Sequence, residues 1–331
     1  MGSTEKSVWD LIDQGIAGSN VDLVLSDGDC KVMKLSDETG EGIMTIYRIF
    51  DGVYLMFNDF HMEKCYSRFQ NCVSLLAVDH CREGCMEMDV DDRLCCCLNR
   101  GEVRIDTRVH HKGQVRFPLR HYHGVTIGFQ TGIAEASIQE MMSAFDVDIQ
   151  KLLNKFCGAG KACVLSADPS IDNLFMQLYR LPKKSQMDYF KIKAMELLVY
   201  LEGVDFEDAG TSKPYFYRTQ VEKIHAVHDL ITSDLRASHT QEELAAQFDL
   251  GLTALKQCFK SIYGKPIYQY MKEYRMNQAA EILLTEREKP ITEVAVQCGY
   301  DNPGKFGQVF RAQFGMAPLE YRKSNGRRDI R

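Results

Sequence analysis

The sequence predicts an α+β protein of two domains, in which a β-rich N-terminal part with its own helices precedes an all-α C-terminal part. Three observations support this fold class. Short apolar runs separated by turn residues fill the chain from about residue 21 to residue 132, helical periodicity begins at Ile133, and one helical pattern occurs twice between Thr240 and Arg322. A chain of 331 residues is long enough for each part to bury its own core.

The first 132 residues are expected to be mainly β-structure after one short helix at Ser7–Ile16. Turn-forming pairs such as Asp51–Gly52 and Lys112–Gly113 separate the apolar runs, and this spacing is typical of hairpins. A series of hairpins favours a β-barrel or a β-sandwich. The predicted strands are Lys31–Leu35, Ile43–Phe50, Val53–Phe57, Cys72–Asp79, Gly84–Val90, Leu94–Leu98, Glu102–Thr107 and Gly124–Phe129.

Apolar residues recur every three or four positions after Ile133 and predict three helices. The first continues to Phe156, the second runs from Asp168 to a stop before Pro182, and the third covers Gln186–Leu201. Residues 202 to 214 are polar and contain glycine, which is typical of a linker. The predicted division is a β-rich domain at 1–132, a helical segment for dimerisation or interdomain contact at 133–203, a linker at 204–220 and an all-α domain at 221–331.

The repeated pattern has the form of a helix-turn-helix. In each copy a short amphipathic helix has an alanine at its centre, Ala245 or Ala295, which lets two helices cross closely. A second helix then ends at Gly264 or Gly315, with a proline close behind. Thr240 and Glu243 have capping-box spacing in the first copy. Residues 266–284 between the copies have helical spacing and predict a rigid connector helix.

The second copy carries a specific set of residues: Ile291-Thr-Glu-Val-Ala295, Cys298-Gly-Tyr300, Phe306, Phe310-Arg311, Phe314-Gly-Met-Ala-Pro318 and Tyr321-Arg322. This set resembles the DNA-binding domain of the AraC/XylS family of bacterial transcription regulators, over roughly the last third of the chain. Two further segments, 57–61 (Phe-Asn-Asp-Phe-His) and 117–124 (Phe-Pro-Leu-Arg-His-Tyr-His-Gly), resemble the branch typified by the pyochelin-responsive regulator. That resemblance implies a cupin-like N-terminal β-barrel that binds an effector.

The resemblance also implies a ligand-responsive, sequence-specific regulator that activates transcription. Its two recognition helices are expected to enter successive major grooves of promoter DNA, on one side of the duplex. The implied partners are double-stranded DNA, a small-molecule effector, a second copy of the chain and RNA polymerase. The effector, the operator and the sign of regulation do not follow from the sequence.

The outward faces of the two recognition helices supply the predicted DNA contacts. By resemblance, Thr253, Lys256 and Gln257 touch bases, and Lys260 touches phosphate. Lys can donate to guanine, Gln can bind adenine and the Thr methyl can meet thymine. In the second copy four residues point outward: Asn302, Lys305, Gln308 and Arg311. Of these, Gln308 is expected to read a base, and Lys305 and Arg311 are expected to hold phosphate.

The charge distribution is compatible with this function. The formal net charge of −6 argues against indiscriminate nucleic-acid binding by the whole surface. Residues 222–331 carry sixteen Lys and Arg against fourteen Asp and Glu, about +2, which leaves about −8 for residues 1–221. The C-terminal part must therefore gather its basic side chains on one face, while the acidic part lowers affinity for random DNA.

Histidines and aromatic residues are the predicted effector pocket, formed by Phe57, His61, His121 and His123. The alternative is a metal- or thiol-responsive regulator, because His80, His121, His123, Cys81 and Cys85 are of types that bind transition metals. The His-x-His pair lacks the downstream glutamate spacing of metal-binding cupins, so no metal is expected. In Cys95–Cys97 the middle thiol would face opposite to the outer two, which favours packing over a redox cluster.

No catalytic constellation is present, since the sequence has no phosphate loop, nucleophile elbow or His-Glu-x-x-His motif. We therefore expect neither an enzyme nor a cofactor. No apolar run is long enough to cross a bilayer, and the acidic N-terminus is unlike a signal peptide. A cytoplasmic protein without membrane contact, in which most of the twelve cysteines are reduced and buried, is the expected outcome.

Overall fold

The computed structural model describes residues 7–13, 21–67, 74–89, 93–108, 113–158, 162–205 and 215–325. The chain forms two compact units, Met1–Arg218 and Thr219–Arg331, of which the first is rich in β-sheet and the second is helical. The predicted four-segment division stays a prediction. Residues 206–214 of the predicted linker, and the predicted element ends at 14–16, 72–73 and 90, lie outside the described residues.

Antiparallel strands form the sheet of the N-terminal unit. The central path runs in the order β1-β2-β3-β4-β10-β6-β7-β12, while β8 pairs with β6 and β11, and β9 pairs with β5 and β6. The strands are β1 (Val21–Asp27), β2 (Cys30–Asp37), β3 (Gly40–Phe50), β4 (Val53–His61), β5 (Lys64–Ser67), β6 (Leu75–Asp89), β7 (Leu94–Asn99), β8 (Val103–Asp106), β9 (Gly113–Arg116), β10 (Tyr122–Gln130), β11 (Cys163–Leu165) and β12 (Phe216–Tyr217).

The described sheet does not close into a barrel. Strand β1 pairs with β2 along its length, and within the described residues it has no second partner strand. The predicted barrel is therefore not confirmed, although the unit is sheet-rich as expected. Strands β1, β5, β9, β11 and β12 were not predicted, because four of them have four residues or fewer and β1 is mostly exposed.

Strand β6 corrects the prediction of two separate strands on either side of Gly84. The chain continues as one strand of 15 residues. Gly84 has φ 85°, and an added Cβ would lie 2.1 Å from the carbonyl oxygen of His121. The pairing of β6 with β10 shifts register beside this point, between His123 and Gly124. The glycine therefore bends a continuous strand at a bulge, where the sequence suggested a turn.

The described part of the N-terminal unit has five α-helices: α1 (Val8–Asp13), α2 (Ile133–Met141), α3 (Ile149–Cys157), α4 (Pro169–Leu178) and α5 (Gln186–Gly203). The single helix predicted from Ile133 to Phe156 is in fact two. Asp148 begins α3, because its carboxylate accepts hydrogen bonds from the backbone N–H groups of Gln150 and Lys151. Helices α2 to α5 bury their apolar faces against the sheet in one core that includes Phe175, Phe190 and Leu198.

Seven helices form the C-terminal unit: α6 (Arg218–Ser233), α7 (Gln241–Gln247), α8 (Leu252–Tyr263), α9 (Ile267–Thr285), α10 (Ile291–Gln297), α11 (Pro303–Phe314) and α12 (Pro318–Asn325). Both bonds of the predicted capping box between Thr240 and Glu243 are present. Helices α8 and α11 end at Gly264 and Gly315, each with φ 75°. Helix α12 was not predicted.

The two helix-turn-helix copies share one turn geometry. In the first, the backbone N–H of Leu250 donates to the carbonyl oxygen of Ala245 at 2.9 Å, and in the second Tyr300 donates to Ala295 at the same distance. The residue before each donor has a positive φ, 50° at Asp249 and 79° at Gly299. The sequence repeat therefore corresponds to a structural repeat.

Candidate functional site

Helix α8 presents a polar face whose residues are all exposed. Leu255, Cys258, Phe259 and Ile262 are buried on its other face, which fixes the rotation of the helix. The exposed face contains all four residues predicted from the first copy: Thr253, Lys256, Gln257 and Lys260. It offers two ammonium groups, a carboxamide and a hydroxyl, which are groups that donate to phosphates and base edges.

Helix α11 presents the corresponding face in the second copy. Phe306 and Phe310 are fully buried, and the four predicted residues are exposed: Asn302, Lys305, Gln308 and Arg311. The Nη2 atom of Arg311 lies 3.9 Å from Glu320 Oε2 at a largely exposed position. Such an exposed pair is weak and leaves the guanidinium able to turn towards a phosphate.

Asn302 has a structural role that the sequence prediction did not include. Its side-chain Oδ1 accepts hydrogen bonds from the backbone N–H groups of Gly304 at 2.8 Å and Lys305 at 3.1 Å. Asn302 is thus the N-cap of α11, and Pro303 occupies the first turn, where no helical N–H is needed. The Nδ2 group of the same amide can still donate to DNA.

Helix α9 packs against both copies and so supports both polar faces. Tyr270 of α9 contacts Phe259 of α8 with ring centroids 5.6 Å apart. On the other side, Nε2 of Gln313 in α11 donates to Asn277 Oδ1 in α9 at 2.7 Å. A helix that contacts both recognition helices through side-chain packing and hydrogen bonds limits their relative motion.

A cavity of about 210 Å³ lies inside the N-terminal unit. Helix α1 contributes Val8 and Ile12 to its wall, and the strands together with Arg108 and Phe117 contribute the rest. Most lining residues are apolar, and five of the polar ones form one group. That group consists of Asn58, Asp79, Arg108, Tyr122 and Thr126.

The four residues predicted for the effector pocket do not line this cavity. Strand alternation explains the difference, because Met56, Asn58 and Phe60 face the cavity while Phe57 and His61 face the other way. Phe57 packs on the opposite side, with ring centroids 5.3 Å from Tyr179 and 5.9 Å from Phe190. On β10 the cavity is lined by Tyr122, Thr126 and Gly128, and Tyr122 stands between His121 and His123 in the sequence.

Two of the predicted histidines contact an aspartate on the face of β4 and β10 that points away from the cavity. The Nε2 atoms of His61 and His123 lie 2.9 Å and 3.1 Å from Asp59 Oδ1. One ligand atom from each of these three side chains lies within 4.8 Å of the others, which is a spacing that a metal ion could bridge. His121 is not part of this group, since its Nδ1 lies 3.2 Å from the carbonyl oxygen of Leu119.

Four of the five grouped polar residues of the cavity form a hydrogen-bonded chain. Arg108 Nη2 and Thr126 Oγ1 both donate to Asp79 Oδ1, at 2.5 Å and 2.7 Å, and Asn58 Nδ2 donates to Thr126 Oγ1 at 3.1 Å. Asp79 and Tyr122 are each 1% exposed. None of these five polar residues was predicted to line the pocket; the available signal for Asp79 was a carboxylate directly after the apolar run of residues 75–78.

Most cysteines in the described part of the N-terminal unit are buried. All three thiols of Cys95–Cys97 are buried, as are Cys81 and Cys85. Burial raises the pKa of Cys65 to about 12 and raises the pKa of Cys95 further above its usual value. A sensing thiol needs a lowered pKa and access to solvent, so these thiols are suited to packing.

Comparisons with known proteins concern the C-terminal unit. A family model described as a helix-turn-helix domain matches residues 244–324. The transcriptional activator RhaR of Yersinia pestis bv. Antiqua (strain Angola) is 31% identical over 116 residues, which are 32% of this chain and 40% of that protein. The probable transcriptional regulator LumQ of Photobacterium leiognathi is 32% identical over 108 residues, 32% of this chain and 43% of that protein.

Among solved structures, one similar protein is the DNA-binding domain of AdpA, a global transcriptional factor described in complex with a target DNA. Its sequence is 27% identical, and the match covers 33% of this chain and 98% of that chain, with a TM-score of 0.31. This chain spans less than half the length of the curated relatives that it matches. No helix in the described residues is both long and apolar enough to cross a membrane.

Proposed function

We propose that this chain, whose C-terminal unit carries a helix-turn-helix domain of the AraC/XylS type, is a ligand-responsive, sequence-specific DNA-binding regulator of transcription. The observation that carries the proposal is the doubled recognition face. Two helices with the same preceding turn each bury an aromatic face and expose donors on the other, and one connector helix packs against both. This arrangement suits two successive major grooves.

The proposed base contacts are Thr253, Lys256 and Gln257 on α8 and Gln308 on α11, all of them exposed. Lys260, Lys305 and Arg311 are proposed to hold phosphates. Asn302 is proposed to fix the first turn of α11 with its Oδ1 and to donate to phosphate with its amide nitrogen.

The effector is proposed to bind in the cavity of the N-terminal unit. Its apolar wall with one polar group is the usual composition of a small-molecule site. Antiparallel strands surround it, which supports a cupin-like origin for the unit. Ligand would then favour the arrangement of the chain to which it binds more tightly, and only to the extent of that difference.

Helix α5 supports a proposal of homodimerisation. Tyr189, Ile192 and Val199 are 40%, 58% and 42% exposed, and their spacing of three and seven residues places them on one face of the helix. An apolar stripe of this kind fits a copy of itself in a two-helix contact. Activation, rather than repression, and contact with RNA polymerase are proposed from RhaR, which is described as an activator.

The group of Asp59, His61 and His123 is the observation that favours a metal-responsive regulator as the second candidate. All three side chains are substantially exposed, so the group is also compatible with a solvated hydrogen-bond network. DNA affinity that changes on removing metal with a chelator, and no longer changes in His123→Ala, would favour this candidate. A chelator-independent affinity would leave the cavity as the proposed sensor.

The test of the proposed function is DNA binding by a Thr253→Ala/Lys256→Ala/Gln257→Ala variant of the full chain. Fragments that wild type selects from genomic DNA serve as targets, with random duplex for comparison. Loss of each good base contact costs about 1–3 kcal/mol, so the variant should lose its preference for selected over random DNA.

Two further variants control this experiment. Lys260→Ala should weaken binding to selected and random DNA alike and lower the salt slope by about one, as expected for a phosphate contact. Lys184→Ala removes an exposed charge from the N-terminal unit and should change neither affinity. A folded triple variant with wild-type preference would refute the proposed base contacts.

A further inference from the structure

The cavity has one buried acceptor that no described side chain satisfies. Asp79 lines the cavity, and both hydrogen bonds that it accepts go to Oδ1. Its Oδ2 is buried and has no partner in the described part of the chain. A buried carboxylate oxygen without a donor is costly, so a donor on a bound molecule is its expected complement.

The Tyr122 hydroxyl is a second unsatisfied group in the same cavity. It is buried and lacks a partner among the described residues. Burial raises the pKa of Tyr122 well above its usual value, so the hydroxyl stays neutral and can donate.

The two unsatisfied groups belong to the same end of the cavity. A Cβ added to Gly124 would lie 2.4 Å from the Tyr122 hydroxyl, so the ring extends over Gly124 along β10. The next residue on that face is Thr126, which donates to Asp79. One small polar group can therefore lie near both.

The remaining wall limits the charge and size of the ligand. Asp79 and Arg108 are the charged residues that line the cavity, and they pair with each other, so an ionic ligand would bring an uncompensated charge. A dry cavity of about 150 Å³ accommodates benzene, and this one is about 210 Å³. Five methionines give the wall an adaptable, polarisable surface: Met33, Met44, Met56, Met86 and Met88.

We propose that the cavity binds an uncharged molecule with an apolar body somewhat larger than a benzene ring and a hydroxyl or carboxamide group at one end. That group donates to Asp79 Oδ2 and accepts from the Tyr122 hydroxyl. The proposal rests on the proposed function, in which this cavity is the effector site, and adds the chemical class of the effector.

The test compares four probes that share one aromatic frame: benzyl alcohol, toluene, benzoate and benzylammonium. Their affinities for the full chain are measured by ligand-detected NMR titration. Benzyl alcohol should bind about two- to tenfold more tightly than toluene, the range for one net hydrogen bond, and both ions should bind more weakly than toluene. Tyr122→Phe removes one of the two proposed hydrogen bonds, so it should reduce the preference for benzyl alcohol and leave the affinity for toluene unchanged.

Tyr66→Phe is the matched control, because Tyr66 lines the same cavity but is 64% exposed, and this variant should keep the preference. Tyr122→Phe should also be at least as stable as wild type without ligand, since it removes an unsatisfied buried hydroxyl. An equal affinity of wild type for benzyl alcohol and toluene, an unchanged preference in Tyr122→Phe, or tightest binding of an ion would overturn the proposal.

DNA binding by the same samples separates this proposal from the one on which it rests. A chain that binds selected DNA but none of the four probes overturns the ligand class and leaves the regulator assignment standing. A folded chain that binds neither overturns both.

Discussion

Single residues in the recognition helices have structural and binding roles that can be separated. Asn302 is the clearest case, because one atom of its amide caps α11 while the other can reach DNA. Gln257 and Lys256, by contrast, are exposed on α8 and cap nothing. A loss of DNA binding after substitution of Asn302 therefore has two explanations, a lost helix cap or a lost DNA contact. Two different substitutions are needed to separate them.

Asn302→Ala should lower the free energy of unfolding of the C-terminal unit by about 1 kcal/mol, because α11 loses its N-cap. Asn302→Ser keeps a capping oxygen and should cost only a few tenths of a kcal/mol, while it still removes the amide donor. Urea denaturation and DNA titration of both variants measure the two effects. If the Ser variant is as unstable as the Ala variant, the assigned cap is wrong.

At the level of secondary-structure elements, the turns of the two helix-turn-helix copies have the same backbone conformation but differ in the side chain that they can accommodate. Asp249 and Gly299 are equivalent positions with positive φ. Asp249 carries a side chain that accepts from Lys223 Nζ at 3.2 Å, whereas Gly299 lies against the backbone of another segment. An added Cβ there would lie 2.1 Å from the carbonyl oxygen of Leu235, whereas one on Gly315, also with positive φ, would meet nothing within 4 Å.

Gly299→Ala should therefore destabilise the C-terminal unit more than Gly315→Ala. The Gly315 variant meets the left-handed conformation alone and should lose about 1–2 kcal/mol. The Gly299 variant must in addition displace backbone, which adds about 1–3 kcal/mol. Chemical denaturation of the two variants measures the difference, and equal losses would show that the contact with Leu235 is unimportant.

Elements whose conformation is set by neighbouring residues could be predicted from the sequence, whereas those set by distant strands could not. The capping box of Thr240 and the glycine ends of α8 and α11 follow from neighbouring residues, and the sequence predicted them. Gly84 looked like a turn because its bulge is created by the distant strand β10. The cavity face was missed for the same reason, since pairing between β4, β6 and β10 decides that Asn58 and Tyr122 face inward while Phe57 and His123 do not.

Each unit contains a histidine whose pKa is lowered by burial, fully buried in the case of His80 and partly buried in the case of His228. His80 in the N-terminal unit stacks on Phe175, with Nε2 2.9 Å from Asp172, which offsets the lowering only in part. His228 in the C-terminal unit has Nε2 2.8 Å from the Tyr270 hydroxyl. Both folded units thus hold a neutral imidazole that the unfolded chain would protonate more readily.

Both units should lose stability as pH falls below about 6.5, because the unfolded state then binds more protons than the folded state. The contribution of each histidine is fully present above that pH. His80→Gln should flatten the dependence between about pH 7.5 and pH 5.5 in the N-terminal unit only, and His228→Gln in the C-terminal unit only. Hydrogen exchange of core amides, followed for each unit across this range, measures the slopes; wild-type slopes in both variants would exclude these residues as the cause.

The two equivalent helices α8 and α11 are proposed to read one DNA site together. Hydroxyl-radical footprinting of the full chain on its tightest genomic fragment tests this most directly. Two recognition helices in successive major grooves should give two protected patches on one face of the duplex, with centres about 10–10.5 base pairs apart. Protection of a single patch, or protection that is the same on every sequence, would contradict it.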